Sequence, residues 1–253
     1  VEYLVCVISS GRAEAIRGLT LGLFPDAPVV VPPEQVADYE AAGCTAIPQS
    51  GRGVSNARNT VLDTFVGDHN VLMLDDDVRA LGHFTTKNNK DKVVWDTPEM
   101  RQERLGQLFD ALDRARGWAF SGAPTTNAFY YNPRRPTATN LFLIGTFSGY
   151  RKGCPVRYDE TLPLKEDYDF TVKVWKACGL ALRFNNVWCD AIHYSNAGGC
   201  VAYRDDATEA QAIAILRERY PNWIKPHPTR GENEVVLKLP DYRAMLARAK
   251  KKG

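Results

Sequence analysis

Val71-Leu72-Met73-Leu74-Asp75-Asp76-Asp77 is an apolar run that ends abruptly in three carboxylates. A short apolar stretch bounded by charge predicts a buried strand, and like charges at its end repel one another, so they point to a ligand. Side chains alternate along a strand, so Asp75 and Asp77 are expected on one face and Asp76 on the other, an Asp-x-Asp pair at the C-terminal end. In open α/β sheets ligands bind in the crevice beyond such strand ends. A hard divalent cation, Mg²⁺ or Mn²⁺, suits this pair, because it takes one or two protein carboxylates and draws further oxygens from a diphosphate. The plain alternative is a helix N-cap or an acidic turn, where Asp is common.

Upstream, Tyr3 to Ile8 is a β-branched apolar run that stops at Ser9-Ser10-Gly11-Arg12, and Ile16, Leu19 and Leu23 then recur at helical spacing. The hydroxyls and amides of this loop can hold a nucleotide, and Arg12 can meet a phosphate or solvent, but neither a P-loop nor a dinucleotide fingerprint is present. Val29 to Val31 predicts a second strand closed by Pro32-Pro33, then a polar helix from about Gln35 to Ala42 stopped by Gly43, then a short strand from Thr45 to Ile47. Gly51-Arg52-Gly53-Val54-Ser55-Asn56-Ala57-Arg58-Asn59 opens a helix with Val54, Ala57, Val61, Leu62 and Phe65 on one face. Arg52 and Arg58 therefore stand beside the same crevice, where a guanidinium pairs with the acidic strand end or with phosphate. Up to Asp77 the order is β-α-β-α-β-α-β, which implies a parallel sheet with covering helices.

Beyond Asp77, residues Lys87 to Lys92 form a polar, basic loop expected to be mobile, and Thr97-Pro98 caps a helix that ends at Gly117. Trp118 to Gly122 and Leu141 to Ile144 read as strands. Between them, Phe129-Tyr130-Tyr131-Asn132-Pro133-Arg134-Arg135-Pro136 sets three aromatics before two arginines, which suits a stacked base plus phosphate or, more plainly, a packed hairpin tip. Tyr158-Asp159-Glu160 and Leu164-Lys165-Glu166-Asp167-Tyr168-Asp169 lead into a helix carrying Phe170, Val174 and Cys178 and stopped by Gly179. Carboxylates at a helix start are stabilised by its dipole, and one above the crevice can also serve as a general base. Leu180 to Val187 and Trp188 to His193 read as strands, so His193 emerges near a strand end. Thr208 caps a last helix with Ile213, Leu216 and Tyr220.

The chain has 253 residues, 44% hydrophobic and 25% charged, which suits one compact domain. No apolar run approaches the roughly 18 residues that span a bilayer, and the start, Val1-Glu2-Tyr3-Leu4, lacks the pattern of a signal peptide. The expectation is a cytoplasmic enzyme with no membrane and no obligate protein partner. Cys6, Cys44, Cys154, Cys178, Cys189 and Cys200 contain no Cys-x-x-Cys pair and read as reduced packing residues, which argues against structural zinc. A net charge of +2 is too near neutral to announce a nucleic-acid binder, although Arg134-Arg135 and Lys250-Lys251-Lys252 concentrate positive charge.

Taken together, the arrangement resembles a glycosyltransferase of the A-type (GT-A) fold. Gly53-Val54-Ser55-Asn56-Ala57-Arg58-Asn59 is similar to the helix that precedes the Asp-x-Asp strand in inverting family-two enzymes, and Glu166-Asp167 resembles their base motif. Together with Leu74-Asp75-Asp76-Asp77, Lys165-Glu166-Asp167-Tyr168-Asp169, and His193 followed by Gly198-Gly199-Cys200 and Tyr203-Arg204, this is similar to the phage glycosyltransferases associated with ten-eleven-translocation dioxygenases.

The resemblance implies an α/β, Rossmann-like, mostly parallel sheet with helices on both faces and an acceptor-binding half. One domain, 1–253, would divide into a nucleotide-sugar half to about 80, an acceptor and catalytic half to about 204, and a C-terminal helix with a basic tail. It implies transfer of a sugar, with inversion, from a nucleotide-diphosphate sugar (a UDP-sugar foremost) to 5-hydroxymethylcytosine in double-stranded phage DNA, in the host cytoplasm. Asp77 would be the direct ligand of Mn²⁺ or Mg²⁺, Asp75 would reach the ribose or a metal-bound water, and His193 would be a third ligand. Asp167 would be the base, with Glu166 as its alternate. Ser9, Ser10, Arg12, Arg52, Arg58, Asp75 and Asp76 would surround the donor. Where family-two enzymes place an acidic residue for uracil, this chain reads Val31-Pro32-Pro33-Glu34, and Glu34 is the candidate substitute. Phe129, Tyr130, Tyr131, Arg134 and Arg135 would meet the acceptor, with Lys87, Lys90 and Lys92 near the DNA backbone. Two other readings stay open: a saccharide or lipid-linked acceptor, and a sugar-phosphate nucleotidyltransferase, for which Ser9-Ser10-Gly11-Arg12 is a thin match to the required basic glycine-rich loop.

Overall fold

The structure, a computed structural model, describes residues 1–85, 91–123, 136–192, 205–229, 231 and 234–241. Strands β1 (Tyr3–Ile8), β2 (Val29–Val31), β3 (Ala46–Pro48) and β4 (Asn70–Asp75) lie side by side in the order β3-β2-β1-β4, all parallel. Their connections carry α1 (Thr20–Leu23), α2 (Val36–Ala41) and α3 (Gly53–Phe65). This is the parallel unit expected from the alternating pattern, and it places the ends of β1 and β4 next to each other where the connections diverge, Val7 opposite Leu74 and Ile8 opposite Asp75.

The remainder of the sheet departs from the expectation of a mostly parallel one. β9 (Phe147–Tyr150) is antiparallel to both β4 and β7 (Ala119–Ala123). β10 (Leu182–Ala191) runs parallel to β7, while β5 (Val78–Phe84) and β6 (Lys92–Val94) return antiparallel. The order β3-β2-β1-β4-β9-β7-β10-β5-β6, with β8 (Thr137–Ala138) paired to β10, makes a mixed ten-stranded sheet. β11 (Ile224–Pro226) and β12 (Val235–Leu237) form a separate ribbon.

Two strand assignments change for identifiable reasons. Residues 180–192 hold one strand, β10, where two were read. Leu141 to Ile144 is no strand, because its amides serve side chains: Leu143 N–H donates to Thr171 Oγ1 at 3.1 Å and Ile144 N–H to Ser121 Oγ at 3.2 Å. β5 starts immediately after the acidic turn, in a stretch that the sequence reading left without an element.

Alternation along β4 distributes its side chains between two cores. Val71 and Met73 join Ala57, Val61 and Leu62 of α3 together with residues of α5 (Glu166–Cys178) and α6 (Asp206–Arg219). Leu72 and Leu74 face Leu105, Leu108, Phe109 and Leu112 of α4 (Pro98–Ala115) on the other side. A third cluster packs Val7, Val29 and Val31 against Ile16, Leu21 and Tyr39. Every position from Val71 to Leu74 is fully buried, which is why the run is continuously apolar.

The turn after β4 is held from below by Thr20. Its hydroxyl, fully buried, donates to Asp75 C=O at 2.8 Å and accepts from Val78 N–H at 2.9 Å. Thr20→Val removes both bonds with little change of shape and leaves a buried carbonyl and amide unpaired. Such groups cost about 1–3 kcal/mol each, so the urea unfolding midpoint should fall clearly; an unchanged midpoint would show that the turn is held elsewhere.

Candidate active site

The crevice between the ends of β1 and β4 contains the three acidic residues in unequal settings. β4 ends at Asp75, and Asp76 and Asp77 form the turn into β5, so strand alternation stops one residue into the triplet. Asp75 continues the Val71–Met73 face toward α3. Asp76 and Asp77 both meet Arg12, at 2.5 Å and 3.8 Å. The expected Asp75/Asp77 face is therefore replaced by a turn, because the backbone leaves the extended conformation there.

Asp76, 4% exposed, accepts from the Ser9 hydroxyl as well as from Arg12, and Ser9 Oγ in turn lies 2.6 Å from Tyr39 Oη. Arg12 N–H donates to the same phenol oxygen at 3.0 Å. These contacts make Ser9, Arg12, Tyr39 and Asp76 a polar bracket beneath the crevice. Ser10 is half-buried and receives a long bond from Gln35 Nε2 at 3.5 Å, while Gly11 N–H donates to Gln35 Oε1 at 2.7 Å. Gln35, which the sequence reading did not single out, thus shapes this loop, whereas Glu34 beside it is exposed. Arg52 is exposed at the start of α3.

Arg58 joins the two acidic clusters. Its guanidinium, with the residue 3% exposed, donates to Gly145 C=O at 2.8 Å and to Asp75 Oδ1 at 3.1 Å, and its Nε lies 3.5 Å from Glu166 Oε1. The ring of Tyr158 lies below it, 5.6 Å from the guanidinium carbon to the ring centre. Asn56 and Asn59 on the same helix donate to the two oxygens of Glu160 at 2.9 Å and 2.7 Å, and Asn59 also pairs with both backbone groups of Tyr158. Glu160 was read only as part of an acidic stretch. The signal for its role is two amides three residues apart, on one face of a helix, which require a polar partner when buried.

The opening turn of α5 carries Glu166, Asp167 and Asp169. Asp169, fully buried, accepts from Tyr220 Oη at 2.7 Å and pairs with Lys173 at 2.7 Å. Asp167 is half-buried beside Glu166. Burial, and then the neighbouring Glu166 carboxylate, push the Asp167 carboxyl up to about 8 against the pull of Arg58 and Lys165. A carboxyl raised in this way, beside the Glu166–Arg58 pair, has the character of a general base that works near neutral pH.

Asp77 bears on the question of a metal. It is 6% exposed, and its Oδ1 is buried with no hydrogen-bond donor among the described residues. Burial first, then Asp75 and Asp76, raise its carboxyl to about 7. A buried carboxylate oxygen without a donor, beside two further carboxylates, fits a divalent cation that would supply the missing positive charge. Among the described residues no three His, Cys, Asp or Glu side chains converge into a ready-made cage. His193, the expected third ligand, lies outside the described residues, as do Phe129, Tyr130, Tyr131, Arg134, Arg135, Lys87, Lys90 and the segment from Gly198 to Arg204. Lys92 is exposed at the start of β6, its ammonium over the rings of Phe84 and Trp188. No helix of the described residues is long and apolar enough to cross a membrane.

Comparison with known proteins adds the family. Among solved structures, residues 1–349 of TarS from S. aureus align at 14% identity and a TM-score of 0.41, covering 88% of this chain and 72% of that one. A candidate glucose-1-phosphate thymidylyltransferase from Bacillus anthracis aligns at 10% identity and a TM-score of 0.44, covering 86% and 96%. Both likenesses are too distant to carry an argument about this site. No curated protein matches the chain significantly. The family model described as TET-Associated Glycosyltransferase matches residues 3–199, a span that contains the acidic turn, Arg58 and the opening of α5. The chain belongs to the TET-associated glycosyltransferase family and is a glycosyltransferase.

Proposed function

We propose that the enzyme uses a GT-A arrangement to move a sugar from a nucleotide-diphosphate sugar, foremost a UDP-sugar, to the hydroxyl of 5-hydroxymethylcytosine in double-stranded DNA, with inversion at the anomeric carbon. The observation that carries the reading is the Arg58 bridge, which ties the acidic turn after β4 to the opening of α5 and so unites a leaving-group end and a base end in one site. Membership of the TET-associated glycosyltransferase family supports a hydroxymethylated base as acceptor. Within the site, Asp77 and Asp75 would hold the cation, with His193 as a further candidate ligand. When bound, that cation would supply charge neutralisation to the departing diphosphate.

The chain's own residues have separate tasks. Asp167 accepts the proton of the acceptor hydroxyl as its oxygen bonds to the anomeric carbon, and the bond from that carbon to the diphosphate oxygen breaks on the opposite side. A neutral primary hydroxyl is a weak nucleophile, so removal of this proton is worth a factor on the order of 10² or more. Arg58 lies against Glu166, and the negative charge of Glu166 beside Asp167 raises the proton affinity of the base. Ser10, Arg52, Glu34 and the backbone around Gly11 line the donor side, and Phe129, Tyr130, Tyr131, Arg134 and Arg135 are proposed for the acceptor.

The base assignment predicts a pH profile. Asp167 is active when deprotonated, and its carboxyl is raised, so turnover should climb with pH along an acidic limb well above the value of about 4 of an ordinary carboxyl. Asp167→Asn should lower kcat by a factor on the order of 10² or more and abolish that limb while donor binding persists. If Glu166→Gln is the more damaging change, the two residues exchange roles, and a product that retains the donor's anomeric configuration rules out direct displacement. A second test addresses the cation: Asp77→Ala should remove nearly all activity without unfolding the chain, and full turnover in excess chelator would refute metal dependence.

The acceptor assignment is tested by salt. A DNA acceptor releases counterions on binding, so apparent acceptor affinity should fall as salt rises, linearly on logarithmic axes. A saccharide acceptor would give almost no slope and would displace the DNA reading.

A further inference from the structure

Lys165, immediately before Glu166 and Asp167, stands in a backbone conformation that its position does not favour. Among the described residues two non-glycines have positive φ: Arg116 at 56° and Lys165 at 60°. Arg116 is the C-cap of α4, where a left-handed residue is an ordinary way to end a helix. Lys165 is the N-cap of α5, where extended backbone is the rule and no side-chain cap bond is made. A left-handed lysine at a helix start persists only where its surroundings enforce it.

The enforcing contact comes from α6. Lys165 Nζ lies 2.6 Å from Glu209 Oε2, with the two side chains only 8% and 13% exposed, so water screens the pair weakly. The far end of α6 grips the same segment on either side of Lys165. Arg219 pairs with Asp159 and lies 3.4 Å from Asp169, and Tyr220 Oη donates to Asp169. Residues 159, 165 and 169 are thus each anchored to one helix, and Glu166 and Asp167 lie between the last two anchors.

From this geometry we infer that Lys165 is a positioning residue for the base, acting through its ion pair with Glu209 of α6. The pair holds the N-cap in the left-handed region, which sets the direction of the first turn of α5 and therefore of the Asp167 carboxylate. Without it the lysine relaxes toward ordinary backbone and the carboxylate swings away from the acceptor hydroxyl. The inference rests on the proposed role of Asp167 as base.

The test compares Glu209→Gln, Lys165→Met, their combination, and Lys165→Gly, each measured as kcat per folded molecule with donor KM alongside. Glu209→Gln and Lys165→Met should each lower kcat about tenfold or more, since small misplacements of a catalytic group reduce rate strongly, and leave donor KM unchanged. The double variant should fall no further, because the two residues act as one unit. Lys165→Gly should retain more turnover than Lys165→Met, since glycine accepts left-handed backbone without strain. Losses that multiply in the double variant, a Lys165→Gly no better than Lys165→Met, or a rise in donor KM with kcat intact would each overturn the inference. Wild-type turnover in these variants beside an inactive Asp167→Asn overturns it alone. Full turnover in Asp167→Asn removes the base assignment and this inference with it.

Discussion

The site depends on a single buried guanidinium. Arg58 is enclosed by Asp75, Glu166, the carbonyl of Gly145 and the ring of Tyr158. A charge so thoroughly removed from water is tolerable only when it is paired. The reverse holds for its partners, since two carboxylates from different parts of the chain approach one another only because a cation stands between them. The ends of β4 and α5, some ninety residues apart in sequence, are in this way made electrostatically interdependent. Breaking the pair would expose a buried charge on either side, so the arrangement acts as a specification of geometry more than as a source of stability.

Below Arg58 the interior is unusually polar, and every layer of it serves orientation. Tyr158 stacks on Phe170 at 4.1 Å between ring centres, and its hydroxyl lies 2.6 Å from that of Tyr150, which in turn lies 2.7 Å from Ser148 Oγ. Burial, above all, raises the Tyr150 hydroxyl and raises that of Tyr158 well above the ordinary phenol value, so this chain of hydroxyls stays neutral and serves as fixed hydrogen bonding. Asn56 and Asn59 add a second tie through Glu160. A polar network of this kind, when satisfied, favours one arrangement over its neighbours.

Much of this was legible in the sequence, and the limits have physical causes. Period and punctuation revealed β1 to β4 and their helices, because each strand there is short, apolar and bounded by turn residues. The antiparallel half was harder: β5 carries Arg79, Gly82 and His83 within one strand, and β10 reads as two runs although it is continuous. Residue types at the end of β4 and the start of α5 marked two acidic clusters, and the structure joins them through Arg58. Composition could not reveal which carboxylate faces which arginine. Arg12 turns to Asp76 and Asp77 while Arg58 turns to Asp75 and Glu166, a choice made by the turn at Asp76 and by the tertiary approach of α5. Lys165 and Glu209 carried no local signal at all, since neither spacing nor type marks a pair 44 residues apart.

The turn at Asp76–Asp77 also governs the shape of the whole sheet. β4 and β5 are separated by β9, β7 and β10, four strand steps that would span roughly 19 Å if the sheet were flat. Only two residues connect them, and three extended peptide units reach about 11 Å at most. The sheet must therefore curl between its centre and its far edge, with the acidic turn as the taut strap that closes the arc. Curvature of the sheet and spacing of the carboxylates become one mechanical variable. Anything that flattens or tightens the arc would be transmitted directly to Asp75, Asp76 and Asp77.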